Sequence, residues 1–182
     1  MKIQEVIKPE NDGLHKRTLG RYWASDLSSI IGGYLTAPHF FEDKEINDEG
    51  STNIFFGVAL ENELTKRFEK KKIKILSQTK YELKIAEGII LVVKPDFETT
   101  TYGIECKCPK ASVEEIPVRY KYQLEAEARA AGKPMWLLSF QKPEIVMFPY
   151  QSSDETWEKV KVALIDFHRK LLKLNKKQNV IT

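Results

Sequence analysis

Apolar residues recur along this chain with two periods, and the switches between them mark out its elements. In residues 55–72, Phe56, Leu60, Leu64 and Phe68 stand four apart, the one-sided stripe of an amphipathic helix. Residues 81–85 alternate instead, and Gly88-Ile89-Ile90-Leu91-Val92-Val93 is a short β-branched run; both read as strands, the second a buried one. Alternation returns at 104–108. Residues 117–132 read as a second helix, with Pro117 in its first turn and Gly132 closing it. Its apolar face is Leu124, Ala128 and Ala131, beside a strip of Tyr120, Gln123 and Glu127. Residues 135–140 and 145–150 predict a β-hairpin. Ser152-Ser153-Asp154-Glu155 resembles a capping box that opens a long helix burying Trp157, Val160, Leu164, Phe167 and Leu171. Near the start, Ser25 is expected to cap a short helix that Gly32-Gly33 ends. Another short helix follows Pro38 and carries Phe40 and Phe41 to the core. Residues 73–75 make a weak strand, 43–53 a charged loop, 1–20 an irregular lead-in with a turn at Asn11-Asp12-Gly13, and 173–182 a frayed basic tail. The element order predicts an α/β fold, a mixed central β-sheet flanked by helices, in one domain over 1–182.

Composition narrows this little. With 182 residues, 42% hydrophobic and 30% charged, the chain suits one globular unit with a real core. A net charge of +3 permits an acidic partner such as nucleic acid without demanding one. Cys106 and Cys108 sit on one strand and point the same way, so no disulfide framework is expected and an intracellular setting follows. The N-terminus lacks a secretory apolar region, and no run nears the roughly 20 apolar residues that span a bilayer. The expectation is a cytoplasmic protein with no membrane partner.

The candidate chemistry lies between Pro95-Asp96 and Glu105-Cys106-Lys107. In a strand, Glu105 and Lys107 share one face, while Ile104, Cys106 and Cys108 share the other, which can bury. A hairpin turning near Thr100-Thr101 would set Asp96 directly opposite Glu105, although Thr-Thr is a poor two-residue turn and Gly103 would suit a bulge. Cross-strand neighbours lie about 5 Å apart, near enough for two carboxylates to share a divalent cation. The backbone carbonyl of Cys106 is a further hard donor for magnesium. Lys107 would orient or help deprotonate an attacking water, or stabilise a phosphoryl oxygen. Glu61 and Glu63 flank the helical stripe on opposite sides, and periodicity does not choose between them as a third acid. The plainer reading of Glu105 and Lys107 is a cross-strand ion pair or a solvated edge.

Pro95-Asp96, eight residues, then Glu105-Cys106-Lys107 resembles the signature of the PD-(D/E)xK nuclease superfamily. Four segments resemble its lambda-exonuclease (YqaJ-type) and RecB-like branch: residues 25–33, Gly57-Val58-Ala59-Leu60-Glu61, 104–110 and Tyr122-Gln123-Leu124. The resemblance implies a restriction-endonuclease-like sheet core, Mg²⁺ or Mn²⁺ as cofactor and DNA as substrate, attacked from its ends. It selects Glu61 over Glu63 as the acid four residues after the helix glycine. It makes Gln123 the residue that holds water or a substrate phosphate, and Asp96, Glu105 and Glu61 metal ligands. Ring-forming relatives imply self-association. Two features depart from the RecB-like pattern: Leu60 stands where a His is frequent, and Glu127 where a Tyr is frequent. Two cysteines cannot build the iron–sulfur cluster of some relatives. Arg21, Tyr22, Trp23 and Ser25, with Arg119, Tyr120 and Lys121, are candidate nucleic-acid contacts; their plain readings are core anchors and solvated charges. An endonuclease, or a nuclease-like fold that binds without turnover, are the alternatives.

Overall fold

A computed structural model describes residues 17–42, 48–76, 79–109, 111–141 and 144–178. The predicted turn at Asn11-Asp12-Gly13 and the first part, 43–47, of the charged loop expected over 43–53 lie outside them.

Among the described residues the expected mixed α/β architecture is built as two mixed sheets flanked by helices. In the first, β3 (Ile89–Val93) lies between β1 (Arg21–Trp23), parallel to it, and β2 (Tyr81–Ala86), antiparallel. In the second, the order is β4 (Phe97–Glu98), β5 (Gly103–Lys107), β6 (Met135–Gln141), β7 (Glu144–Tyr150). Here β5 and β6 are parallel and the outer pairs antiparallel. Lys94-Pro95-Asp96 joins the two sheets. Proline has no N–H to give a ladder, so β3 cannot continue straight into β4.

Four helices cover these sheets: α1 (Leu27–Ile31), α2 (Asp48–Lys70), α3 (Val118–Ala131) and α4 (Asp154–Gln178). Leu60, Leu64 and Phe68 of α2 pack on Phe97, Ile104, Cys106 and Leu138. Leu124 and Ala128 of α3 pack on the opposite side of the second sheet, against Met135 and Leu137. Val160, Leu164, Phe167 and Leu171 of α4 close the first sheet over Tyr22, Leu91 and Val93. The helical stripes therefore land where their period predicts, except that Phe56 at the head of the α2 stripe is 40% exposed. Gly132 ends α3 in the left-handed region at φ 64°, a conformation that suits glycine.

Several boundaries differ. α2 begins at Asp48, seven residues before the predicted start at 55, through a stretch in which residues 48–53 include no apolar residue to read. β1 lies between the expected lead-in over 1–20 and the expected cap at Ser25. It is only three residues long, and it depends on Gly20, where a Cβ would lie 2.5 Å from the Gly88 carbonyl oxygen. Ser25 lies within a 3-10 turn at 24–26 and does not cap α1. After Pro38 there is a single 3-10 turn, and Phe40 is buried while Phe41 is half exposed. Residues 73–75 form no strand; Leu76 alone bridges to Glu98. α4 starts on a simple cap, the Thr156 N–H donating to Ser153 Oγ at 3.3 Å, and Glu155 pairs outward with Lys159. The basic tail stays helical to Gln178.

The hairpin that carries the candidate chemistry is pinned from below. Glu98 is 2% exposed, yet it accepts from Tyr81 Oη at 2.8 and 2.7 Å and from Lys133 Nζ at 2.6 Å. Lys133 also donates to the Thr99 carbonyl at 2.9 Å. Burial alone would raise the Glu98 pKa; Lys133 and Tyr81 outweigh it and hold the carboxyl below its ordinary value. Lys133→Met leaves a buried carboxylate without its cation, held only by hydroxyls, so a loss of about 3 kcal/mol is expected at pH 7. Because the folded pKa is depressed, this stabilisation is full above the unfolded value and lost as pH falls through the folded one. The gap between wild type and variant in urea melts should therefore close below about pH 4. An equal gap at pH 7 and pH 3 would contradict it.

Candidate active site

Phe97 pairs with Ile104 and Glu98 with Gly103, and the same register carries Asp96 opposite Glu105, as the sequence predicts. The turn works because Thr99 supplies what Thr-Thr lacks. Its hydroxyl accepts from the N–H groups of Thr101 and Tyr102 at 3.3 and 3.1 Å, a side chain standing in for the backbone. No bulge forms at Gly103.

Alternation puts Asp96, Glu105 and Lys107 on one face. That face is not solvated, which corrects the plain expectation for a charged strand face. β5 is an inner strand and α3 covers it, so Glu105 is 2% exposed. The face toward α2, with Ile104 and Cys106, is buried too, so both faces of β5 are core. Burial pushes the Cys106 thiol far up, and the cysteine is an inert packing residue.

A cavity of about 430 Å³ opens above this strand. Asp96, Glu105, Lys107, Glu61 and Gln123 all line it, together with Ser25, Trp23 and Lys94. Each arrives by a separate route. Asp96 ends the Lys94-Pro95 joint, and its Oδ2 accepts the Cys106 N–H at 2.7 Å. Glu61 projects from α2. Glu63, on the other side of the stripe, is exposed and pairs with Arg67 at 2.8 Å. Gln123 comes from α3. Because β1 runs parallel to β3 with Trp23 beside Val92, Trp23 ends β1 and Ser25 follows it beside the Lys94–Asp96 segment that follows β3.

The electrostatics are those of crowded acids. Glu105 Oε1 receives the Lys107 ammonium and, at 2.6 Å, Gln123 Nε2. Glu105 Oε2 is buried with no partner. Burial first, then the Glu105 charge, raises the Asp96 pKa well above the usual aspartate range, with Lys107 opposing. The same two causes raise Glu61. Burial would lower the Lys107 pKa, but Glu105 and Asp96 outweigh it and keep the amine a cation.

The remaining candidates separate. Tyr22 is fully buried, its hydroxyl bonded to His168 Nδ1 at 2.7 Å, and so anchors β1 to α4. Arg21 turns outward to Glu82. Arg119 and Lys121 do not line the cavity, and Arg119 lies over the Tyr120 ring at 4.8 Å. Tyr120 reaches the site from behind, its ring 5.9 Å from Lys107 Nζ. The sequence reading did not single out Lys94, nor Glu127, which is fully buried and linked to the site through Gln123 at 2.8 Å. Its signal was the i, i+4 spacing from Gln123, which places both on one strip of α3.

The donor set suits a hard divalent cation. Carboxylate oxygens predominate, one of them buried and unpartnered, and positive charge there would relieve the repulsion that raises Asp96 and Glu61. Among the described residues no three His, Cys, Asp or Glu side chains converge as a ready-made metal cluster. The fit is therefore to an ion that takes one or two carboxylates and keeps several waters, as magnesium does.

No protein-family model matches the chain, and no curated protein does. Solved structures do. The alkaline exonuclease LHK-Exo from Laribacter hongkongensis superposes with a TM-score of 0.64 at 15% identity, over 90% of this chain and 96% of that one. LHK-Exo in complex with dAMP gives 0.65 at 14% identity, over the same shares. A phage-related exonuclease from Haemophilus somnus gives 0.58 at 12% identity, over 91% and 98%. The chain thus has the mixed α/β fold of these exonucleases, the fold its sequence resemblance implied.

Proposed function

We propose that this chain hydrolyses phosphodiester bonds of DNA with Mg²⁺ or Mn²⁺ and trims the polymer from its ends. The observation that carries the reading is the juxtaposition of Asp96, Glu105 and Lys107 on one buried face under a cavity that Glu61 and Gln123 also line. The shared exonuclease fold supports it, and the dAMP complex of one such protein favours a nucleotide-sized product. Asp96 and Glu105 would hold the ion, with the Cys106 carbonyl as a further donor and Glu61 reaching it through a bound water. When bound, such a cation acidifies a water and offsets charge on the phosphoryl oxygens.

The chain's own groups supply the rest. Lys107, held charged beside Glu105, offers its ammonium to a phosphoryl oxygen. Lys94, exposed at the rim and without an ion pair among the described residues, attracts the backbone of the incoming strand. Trp23 gives the cavity an apolar wall. Glu105 keeps Lys107 and Gln123 in register through one oxygen.

The test compares linear and covalently closed DNA, with Mg²⁺, with Mn²⁺ and with chelator. Linear DNA should shorten only with metal, and closed circles should persist. Cutting of closed circles would overturn the end-trimming assignment, and cutting in chelator would overturn metal dependence. Glu61→Gln should lower the rate by about 10–100-fold, while Glu63→Gln, outside the cavity, should match wild type.

A further inference from the structure

Glu127 presents a physical problem. Its carboxyl group is wholly buried on α3, and one oxygen, Oε2, has no hydrogen-bond partner. Leaving a buried acid half satisfied is unfavourable, and an apolar residue of similar volume would hold the fold better. Nothing about packing asks for a glutamate here.

What the other oxygen does gives the answer. Gln123 Nε2 lies 2.6 Å from Glu105 Oε1 and 2.8 Å from Glu127 Oε1. An amide nitrogen carries two hydrogens and accepts nothing. Each hydrogen therefore goes to one carboxyl oxygen, and both donors of Gln123 are spent. This holds whether Glu127 is charged or neutral, since the contact needs only an accepting oxygen. With Glu105 alone as partner, one N–H would stay free to serve another acceptor. With Glu127 present, the amide is clamped from both sides, and the side chain has only its carbonyl oxygen left for the cavity it lines.

We infer that Glu127 is a positioning residue that locks the Gln123 amide, so that Gln123 offers the cavity an acceptor for a water and no donor for a phosphate. The lock itself is read from this geometry; only the identity of the water as the attacking one rests on the nuclease reading above. Phosphate oxygens accept and do not donate, so a carbonyl facing them would repel. A water gives its hydrogen to that carbonyl and keeps its lone pair free for phosphorus. Of the two roles open to Gln123 from sequence, this selects the first.

The experiment uses the full chain, ¹⁵N-labelled, with Glu127→Leu and Glu127→Gln. The Gln123 side-chain amide is identified by its loss in Gln123→Ala. In wild type both its protons should exchange with solvent far more slowly than those of the exposed Gln151. Glu127→Leu removes one acceptor, so one proton should lose its protection, while the melting temperature stays equal or rises. Its kcat on linear DNA should fall about 10–100-fold with KM unchanged. Glu127→Gln, whose own carbonyl can accept, should restore the protection and most of the rate. Unchanged protection in Glu127→Leu, or wild-type kcat in that variant, would overturn the lock. A Glu127→Leu chain that melts far lower would mark Glu127 as structural and overturn it too. Were wild type to cut nothing, the nuclease reading would fail, while the exchange data would still decide whether the lock exists.

Discussion

Glu105→Gln is expected to lower the rate of DNA cleavage by about a thousandfold, several kcal/mol of transition-state stabilisation, while leaving the fold intact. Glutamine keeps the shape of glutamate and can still accept from Gln123 through its carbonyl. What it lacks is charge, and the charge is what a cation and Lys107 both answer to in this cavity. The effect on stability has two opposed parts. Lys107 loses its nearest partner, a loss tempered by the charge of Asp96 on the same face. Asp96, Glu61 and Glu127 are freed from a neighbour that now raises all three of their pKa values. A net change within about 1 kcal/mol, or about 4 °C in melting temperature, follows for a chain of this length. Single-turnover cleavage of linear DNA, run beside thermal melts, checks both halves. Cleavage within tenfold of wild type would remove Glu105 from the site. A collapsed melting curve would mean that the lost activity reports only unfolding.

A stability effect as large as that of Lys133→Met should come from another glutamate, two residues from Glu127. Glu125 is fully buried and fully satisfied. It accepts from Tyr150 Oη at 2.7 Å, from the Ser153 N–H at 2.8 Å and from Arg129 Nε at 2.7 Å. One carboxylate thus fastens the end of β7, the start of α4 and the last turn of α3. Glu125→Ala leaves the buried Tyr150 hydroxyl with only Thr156, strands a backbone N–H, and leaves Arg129 with the exposed Asp154 and the Trp157 ring. A loss of about 3 kcal/mol is expected, which lowers the melting temperature by roughly 10 °C. Glu125 does not line the cavity, so the variant should cut DNA at the wild-type rate well below its melting point. Rate loss at low temperature would contradict a purely structural role. The two buried acids of α3 differ in satisfaction: every oxygen of Glu125 has a partner, as a structural role requires, whereas Glu127 Oε2 has none, the observation from which the lock on Gln123 is inferred.

Sequence alone carried much of this because the signals were local. The four-residue recurrence of Leu60, Leu64 and Phe68 names the face of α2 that packs, whatever it packs on. Alternation through Ile104, Glu105, Cys106 and Lys107 divides the strand's faces, and a turn at Thr100-Thr101 sets Asp96 opposite Glu105 by counting. These are consequences of fixed backbone periods, so they survive into any fold that forms the elements. β1 was not legible, since three residues hold no period and its pairing with β3 rests on the close approach of Gly20 to Gly88. The start of α2 was missed because its first turns carry no apolar stripe to read.

Between Pro95 and Lys107, the sequence by itself determined the chemistry available: two acids in register, a lysine on their side, and cysteines on the side that packs. Only the tertiary structure decided that this charged face is buried rather than solvated, because nothing within β5 says that α3 will cover it. That burial raises Asp96 and Glu61 and leaves an oxygen of Glu105 unpartnered. It brings Glu61, the acid the resemblance selects, from one helix and Gln123 from another to one cavity, and sets Glu127 behind Gln123. A residue's type and period are written in its neighbours along the chain; its distance to a charge from another element is written in none of them.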